Sequence, residues 1–175
     1  MVYDPLRPPM SLAIDTNIML VLLGYQCLLS KNAPSRERAR VLAEIRGRAD
    51  GLSPERFDDL WQLFHHASRR IATEHLIAET YGRRKLLRFQ KELVWKCAME
   101  LLTDPGIEEL SCPVRELYER EGYRKMLIEL GPCDAGLVYT AEKQKATILT
   151  DDDPLIRWAN VRSVRAIPLN QLGNY

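Results

Sequence analysis

The chain is poor in histidine and has no paired cysteines. Its three histidines, His65, His66 and His75, stand in no spacing that suits a nucleophile–base pair or a zinc site. The four cysteines, Cys27, Cys97, Cys112 and Cys133, form no C-x-x-C. They read as free thiols and small core fillers in a reducing cytosol. No apolar run is long enough to cross a bilayer, because the stretch from Ile18 to Leu29 is interrupted by Gly24 and Gln26. The charged start and long apolar stretch of a secretory signal are also missing. The expected setting is therefore cytoplasmic, with no membrane partner. Charge of one sign is lacking too: 25 Lys and Arg stand against 24 Asp and Glu, a net charge of +1. That balance argues against a globally basic nucleic-acid binder and leaves room for a local basic patch. Without repeats, low-complexity tracts or linker-like composition, the 175 residues are expected to form a single domain, 1–175.

What is present is an alternation of short apolar runs with helical patterns. Residues 1–10 hold three prolines and are expected to be an irregular lead-in. Ser11-Leu12-Ala13-Ile14 reads as a buried strand, followed by a buried helix from Asn17 to about Leu29. After a break at 30–35, a helix is expected over 36–48 with Ser35 as its N-cap. Another opens at Ser53-Pro54-Glu55-Arg56 and carries Phe57, Leu60, Trp61 and Phe64 at helical spacing. Arg70–Thr73 reads as a strand, Glu74–Tyr81 as a helix, and Arg83–Leu102 as a basic helix. Beyond the turn at 103–106 come a weak strand at 107–112, helices over 113–130 and 133–144, and a strand at 146–150. A short helix at 154–160 and a last strand at 164–167 close the chain. This alternation predicts an α/β fold, a three-layer α/β/α arrangement with a short, mostly parallel central sheet.

Four acids sit where these elements meet loops. Asp15 ends the first apolar run; Glu79 shares a helix face with Leu76, Thr80 and Arg83; Asp134 heads the stripe Leu137, Val138, Ala141. Asp152 lies in Asp151-Asp152-Asp153, after the strand Ala146–Thr150. In parallel α/β sheets ligands bind beyond the carboxyl ends of strands, where Asp15 and Asp152 fall. Carboxylates gathered at a core edge repel unless a cation joins them, which points to a divalent metal with oxygen ligands. Each acid also has a plainer reading. Asp15 suits a helix N-cap, Glu79 an ion pair with Arg83, and Asp134 a first-turn acid after Gly131-Pro132. The Asp151–Asp153 run suits a solvated loop, with Asp153 before Pro154 assigned to capping. Glu74, in a first turn, reads as structural.

Taken together, Ala13-Ile14-Asp15-Thr16-Asn17, the segment Ile71–Glu79, Cys133-Asp134-Ala135-Gly136-Leu137 and Ile148-Leu149-Thr150-Asp151-Asp152 resemble the four motifs of the PIN domain family. That is the RNase H-like nuclease superfamily that includes VapC toxins. The resemblance spans roughly residues 10 to 170. It implies a metal-dependent endoribonuclease that hydrolyses RNA with Mg2+ or Mn2+ held by Asp15, Glu79, Asp134 and Asp152. The register of the last motif favours Asp152 over Asp151. Asn17 and Thr150 are expected to orient the acids or to be turn-forming polar residues. A toxin role, an antitoxin partner and a homodimer are further implications. Two departures stand out: an extra helical region at 30–68, and Asp153-Pro154-Leu155 in place of the family's usual ending.

An acidic site repels RNA, so phosphate contacts are expected from the basic stretch Arg83, Arg84, Lys85, Arg88 and Lys91. The arginines of 36–48 read instead as a solvated helix face. Trp61, Trp95 and Trp158 are candidates for stacking on bases, but their periodic apolar surroundings favour the core. The departures keep open a catalytically inactive PIN-like RNA- or protein-binding module. A phosphatase or phosphoacceptor fits poorly, because Asp15-Thr16-Asn17 has no second Asp two positions on.

Overall fold

Five short stretches become strands, and all run parallel. In this computed structural model, the structure describes residues 10–31, 54–83 and 89–172. The strands are β1 (Ser11–Ile14), β2 (Arg69–Thr73), β3 (Ile107–Leu110), β4 (Thr147–Leu149) and β5 (Ala166–Ile167), in the spatial order β3-β2-β1-β4-β5. The register pairs Ala13 with Ile71 on one side of β1 and Ile14 with Leu149 on the other. The central strands β1, β2 and β4 are buried along nearly their whole length because both faces are covered. The edge strand β3 carries exposed Glu108 and Glu109 at its centre, charges that discourage further strand pairing.

Alternate residues of β1 serve opposite faces, as the pleat requires. Leu12 and Ile14 pack with α1 (Thr16–Ser30), α2 (Pro54–His66) and α4 (Lys91–Leu102) through Ile18, Leu22, Leu60, Phe64, Val94 and Leu101. Ala13 packs on the other side with α5 (Val114–Glu119), α6 (Tyr123–Gln144) and α7 (Asp153–Val161) through Leu117, Met126, Val138 and Leu155. The remaining helix, α3 (Glu74–Arg83), touches both α1 and α6, so it crosses from one layer to the other beside the sheet. The result is a three-layer α/β/α fold around an all-parallel sheet. Among the described residues no helix is long and apolar enough to cross a membrane.

Several expected boundaries move, each for a local reason. The helix expected over 113–130 breaks after Glu119, because Gly122 takes a left-handed conformation with φ 84°. The chain then stays helical to Gln144, with one kink at Gly131 (φ 83°, ψ 175°), after which Pro132 restarts the coil. The basic helix expected from Arg83 is instead the end of α3, and the next helix begins at Lys91. Residues 84–88 lie outside the described residues, as do the lead-in 1–9 and the helix expected over 36–48. Trp61 and Trp158 are partly buried against the two cores, as expected. Trp95 is not: half of it is exposed, edge-on to Tyr81 at 5.4 Å between ring centroids.

Candidate functional site

The strand order reverses direction between β1 and β4. Successive strands step one way from β1 to β2 and β3, then the chain returns to the far side of β1 for β4 and β5. Such a switch point leaves a crevice at the carboxyl ends of the two strands. Because Ile14 pairs with Leu149, the next residues, Asp15 and Thr150, leave the sheet level with one another. The Asp15 N–H extends the ladder by one bond to the Leu149 carbonyl, at 3.2 Å.

Asp15 is almost wholly buried, 3% exposed. Its Oδ1 accepts from the Asn17 N–H at 3.3 Å, so it is the N-cap of α1. Its Oδ2 accepts from the Thr150 hydroxyl at 2.7 Å. Burial pushes its carboxyl up, the two hydrogen bonds pull it down, and the charges of Asp152 and Glu79 raise it again. The net direction is upward.

Asp152 follows two residues after Thr150, whose Oγ1 accepts the Asp152 N–H at 3.0 Å. Its Oδ1 accepts from the Leu155 N–H at 2.9 Å, making Asp152 the N-cap of α7. The cap expected at Asp153 therefore falls one residue earlier, and Asp153 is the first residue of the helix. Asp151 turns the other way, accepting from the Leu169 N–H at 2.6 Å behind β5. Of the two candidates in the run, Asp152 is the one whose charge acts on both Asp15 and Asp134.

Asp134 lies in the first turn after the kink at Gly131. Among the described residues no hydrogen bond reaches its carboxylate. Burial, then the charges of Asp15, Asp152 and Glu79, push its pKa up to about 7, against the opposing pull of Arg83. Glu79 arrives from α3. Its Oε2 accepts from the Thr16 hydroxyl at 2.9 Å, and its Oε1 pairs with Arg83 four residues on. Arg83 also donates to Asn17 Oδ1 at 3.4 Å. The four acids are thus near enough to act on one another electrostatically, although three also serve local roles in caps or an ion pair.

Asn17 and Thr150 both touch the acids or their neighbours, Asn17 through its N–H to Asp15 and its side chain to Arg83. Of the expected phosphate contacts, Arg83 stands beside the acids, while Arg84, Lys85 and Arg88 lie outside the described residues. Two residues escaped sequence reasoning. Thr16 is buried and grips Glu79, and Cys133 lies 3.4 Å from the Thr16 hydroxyl. Burial, then Glu79, raise the Cys133 thiol. Their only sequence signal is adjacency to Asp15 and Asp134. Glu74 is structural, accepting from the Cys112 N–H at 3.1 Å and the Ser111 hydroxyl at 3.2 Å. His75 joins the same tie through Nε2 and the Cys112 carbonyl, at 2.9 Å.

Donor chemistry decides what this region fits. All four side chains are oxygen donors, a set that suits Mg2+ or Mn2+ rather than zinc. Asp15 and Asp134 are both raised, by burial first and then by neighbouring carboxylates, and a shared divalent cation would relieve that carboxylate repulsion. Among the described residues, however, no three His, Cys, Asp or Glu side chains close on a common metal position. Glu79 is drawn to Thr16 and Arg83, and Asp152 to the head of α7. No family model matches the chain, and neither the curated proteins nor the solved structures provide a match.

Proposed function

We propose that the protein is a Mg2+- or Mn2+-dependent endoribonuclease of PIN type, with Asp15 and Asp152 as central ligands and Asp134 and Glu79 completing the set. One observation carries this reading: Asp15 and Asp152 leave adjacent parallel strands at the switch point, and both raise the pKa of Asp134. A core edge with no cation to serve gains nothing from carboxylates that oppose one another's ionisation. When bound, a divalent ion supplies Lewis acidity, lowering the pKa of an attacking water and offsetting charge on a phosphate. The chain's own residues hold the acids in place. Thr150 fixes Asp15 through one oxygen and receives the Asp152 backbone, so a single hydroxyl sets the spacing of two acids. Thr16 fixes Glu79 in the same way. Without a cation Asp134 is pushed up to about 7 by burial and the other acids, and a bound divalent ion would take the place of that proton. Arg83 offers a planar fork to a backbone phosphate at the rim. The toxin role, an antitoxin that covers the acids, and a homodimer belong to this proposal on resemblance alone.

The test is cleavage of single-stranded RNA by purified protein with and without Mg2+ or Mn2+. Asp15→Asn keeps size and loses charge; it should abolish cleavage while the circular dichroism spectrum stays unchanged. Equal cleavage by the variant ends the proposal.

A second reading, an inactive PIN-like module that binds RNA or protein, is favoured by the pairing of Glu79 with Arg83. It expects binding that persists in EDTA and no cleavage across a broad RNA pool.

A further inference from the structure

Ion pairs at i,i+4 on exposed helices are usually weak and interchangeable. The chain has ordinary examples in Arg115–Glu119 and Arg120–Glu116. Arg83–Glu79 has the same spacing but different surroundings. The second terminal nitrogen of Arg83 reaches Asn17 Oδ1 at 3.4 Å, so one guanidinium bridges α3 and the head of α1. The carboxylate it holds is gripped at its other oxygen by Thr16, at 2.9 Å. Its charge also acts on Asp134, against the combined push of Asp15, Asp152 and Glu79.

We propose that Arg83 is a built-in counter-cation of this acid group, which competes with a divalent metal ion for the Glu79 carboxylate. The inference rests on the metal-site reading above. The Thr16 hydroxyl holds Oε2 as a neutral donor, whereas Oε1 faces the positive guanidinium, so a cation approaching Oε1 has to displace Arg83. The released fork stays at the rim, because Asn17 and the α3 backbone keep it there, and its five donors then suit a phosphate oxygen pair. One residue thereby links metal entry to substrate contact: Glu79 is paired with Arg83 first and with the metal afterwards.

The experiment is Mn2+ binding to the full chain, followed by loss of the free-ion electron paramagnetic resonance signal. Arg83→Gln should bind Mn2+ several-fold more tightly than the unaltered chain. Arg83→Lys keeps the charge and should lie between the two. Arg115→Gln removes the same charge from a distant pair and should change nothing, which separates local competition from net charge. In a Glu79→Gln background the effect of Arg83→Gln should vanish, since the contested carboxylate is gone. Thermal melts confirm that each variant is folded. Equal or weaker Mn2+ binding by Arg83→Gln overturns the inference and leaves the metal site standing. Absence of Mn2+ binding in every variant overturns the metal site and the inference with it.

Discussion

The Thr150 hydroxyl donates to Asp15 Oδ2 at 2.7 Å, joining residues 135 positions apart in the chain. The same oxygen accepts the Asp152 N–H at 3.0 Å. Thr150 is fully buried and Asp15 nearly so, so neither partner has water as a substitute. Thr150→Val keeps the shape and removes both bonds. It is expected to cost about 1–3 kcal/mol, the penalty for stranding buried polar groups, seen as a lower urea midpoint. Thr150→Ser keeps the hydroxyl and should recover most of the loss. A Val variant as stable as the parent would show that the bond contributes nothing.

This pair also shows what was legible in the sequence. Short apolar runs between helical patterns made an α/β sheet readable, and Asp15 and Thr150 were readable as residues at strand exits. That the two strands are neighbours in level register was not, since strand order depends on packing among distant segments. Capping was misplaced by one residue, because Asp152 and Asp153 are chemically alike and only backbone angles distinguish them. The Thr16–Glu79 bond spans 63 positions and leaves no local trace. Trp95 looked internal because it sits among apolar residues at helical spacing, yet α4 turns Val94, Cys97, Ala98 and Leu101 inward instead. The kink at Gly131 was partly visible: Gly-Pro marked a break, but not that helix continues on both sides.

Asp134 gives a pH dependence of definite sign. Its pKa rises from 3.8 to about 7 on folding, because burial and then Asp15, Asp152 and Glu79 oppose its charge. The folded state therefore holds this proton more tightly than the unfolded chain. The resulting stability is fully present below the unfolded value and is lost as pH climbs from about 4 through about 7. Without divalent metal, Asp134's own contribution should fall between pH 5 and 8 by on the order of 2 kcal/mol. Asp104 has the opposite linkage: despite burial, the Gly106 N–H and Arg70 hold its carboxyl low, so its contribution is lost only at acid pH, below this interval. Asp134→Asn should flatten the profile and be the more stable protein at pH 8. Urea midpoints at several pH values decide it; parallel profiles for both proteins would remove Asp134 as the cause.

Gly106 tests whether fold and site are separable. Arg70 enters β2 at the amino end of the strand, the edge opposite the acids, with its side chain nearly buried. Its guanidinium pairs with Asp104 at 2.5 Å and lies 4.9 Å from the Phe64 ring centroid. A Cβ on Gly106 would overlap that guanidinium, which Asp104 and Phe64 keep from swinging aside. Gly106→Ala should therefore cost about 1–3 kcal/mol in urea denaturation, as overpacking does. Mn2+ affinity, measured well below the melting point, should stay at the parental value. A parallel loss of affinity would mean that the two edges of the sheet are coupled.

Gly131 and Gly82 form a matched pair. A Cβ at either position meets nothing within 4 Å, so crowding is the same for both. Their backbones differ: Gly131 has φ 83° and ψ 175°, a region essentially confined to glycine, while Gly82 lies within the helical run of α3. Gly131→Ala should lose about 1–3 kcal/mol from strain alone. Gly82→Ala should gain up to about 1 kcal/mol, since alanine loses less backbone freedom on folding into a helix. Because Asp134 stands three residues past the kink, relief of that strain would also move it relative to Asp15. Gly131→Ala is thus expected to weaken Mn2+ binding along with stability, and Gly82→Ala to leave binding alone. Opposite signs in thermal melts, with binding altered in the first variant only, are the predicted result. Equal effects from the two substitutions would show that the kink does not position the acid.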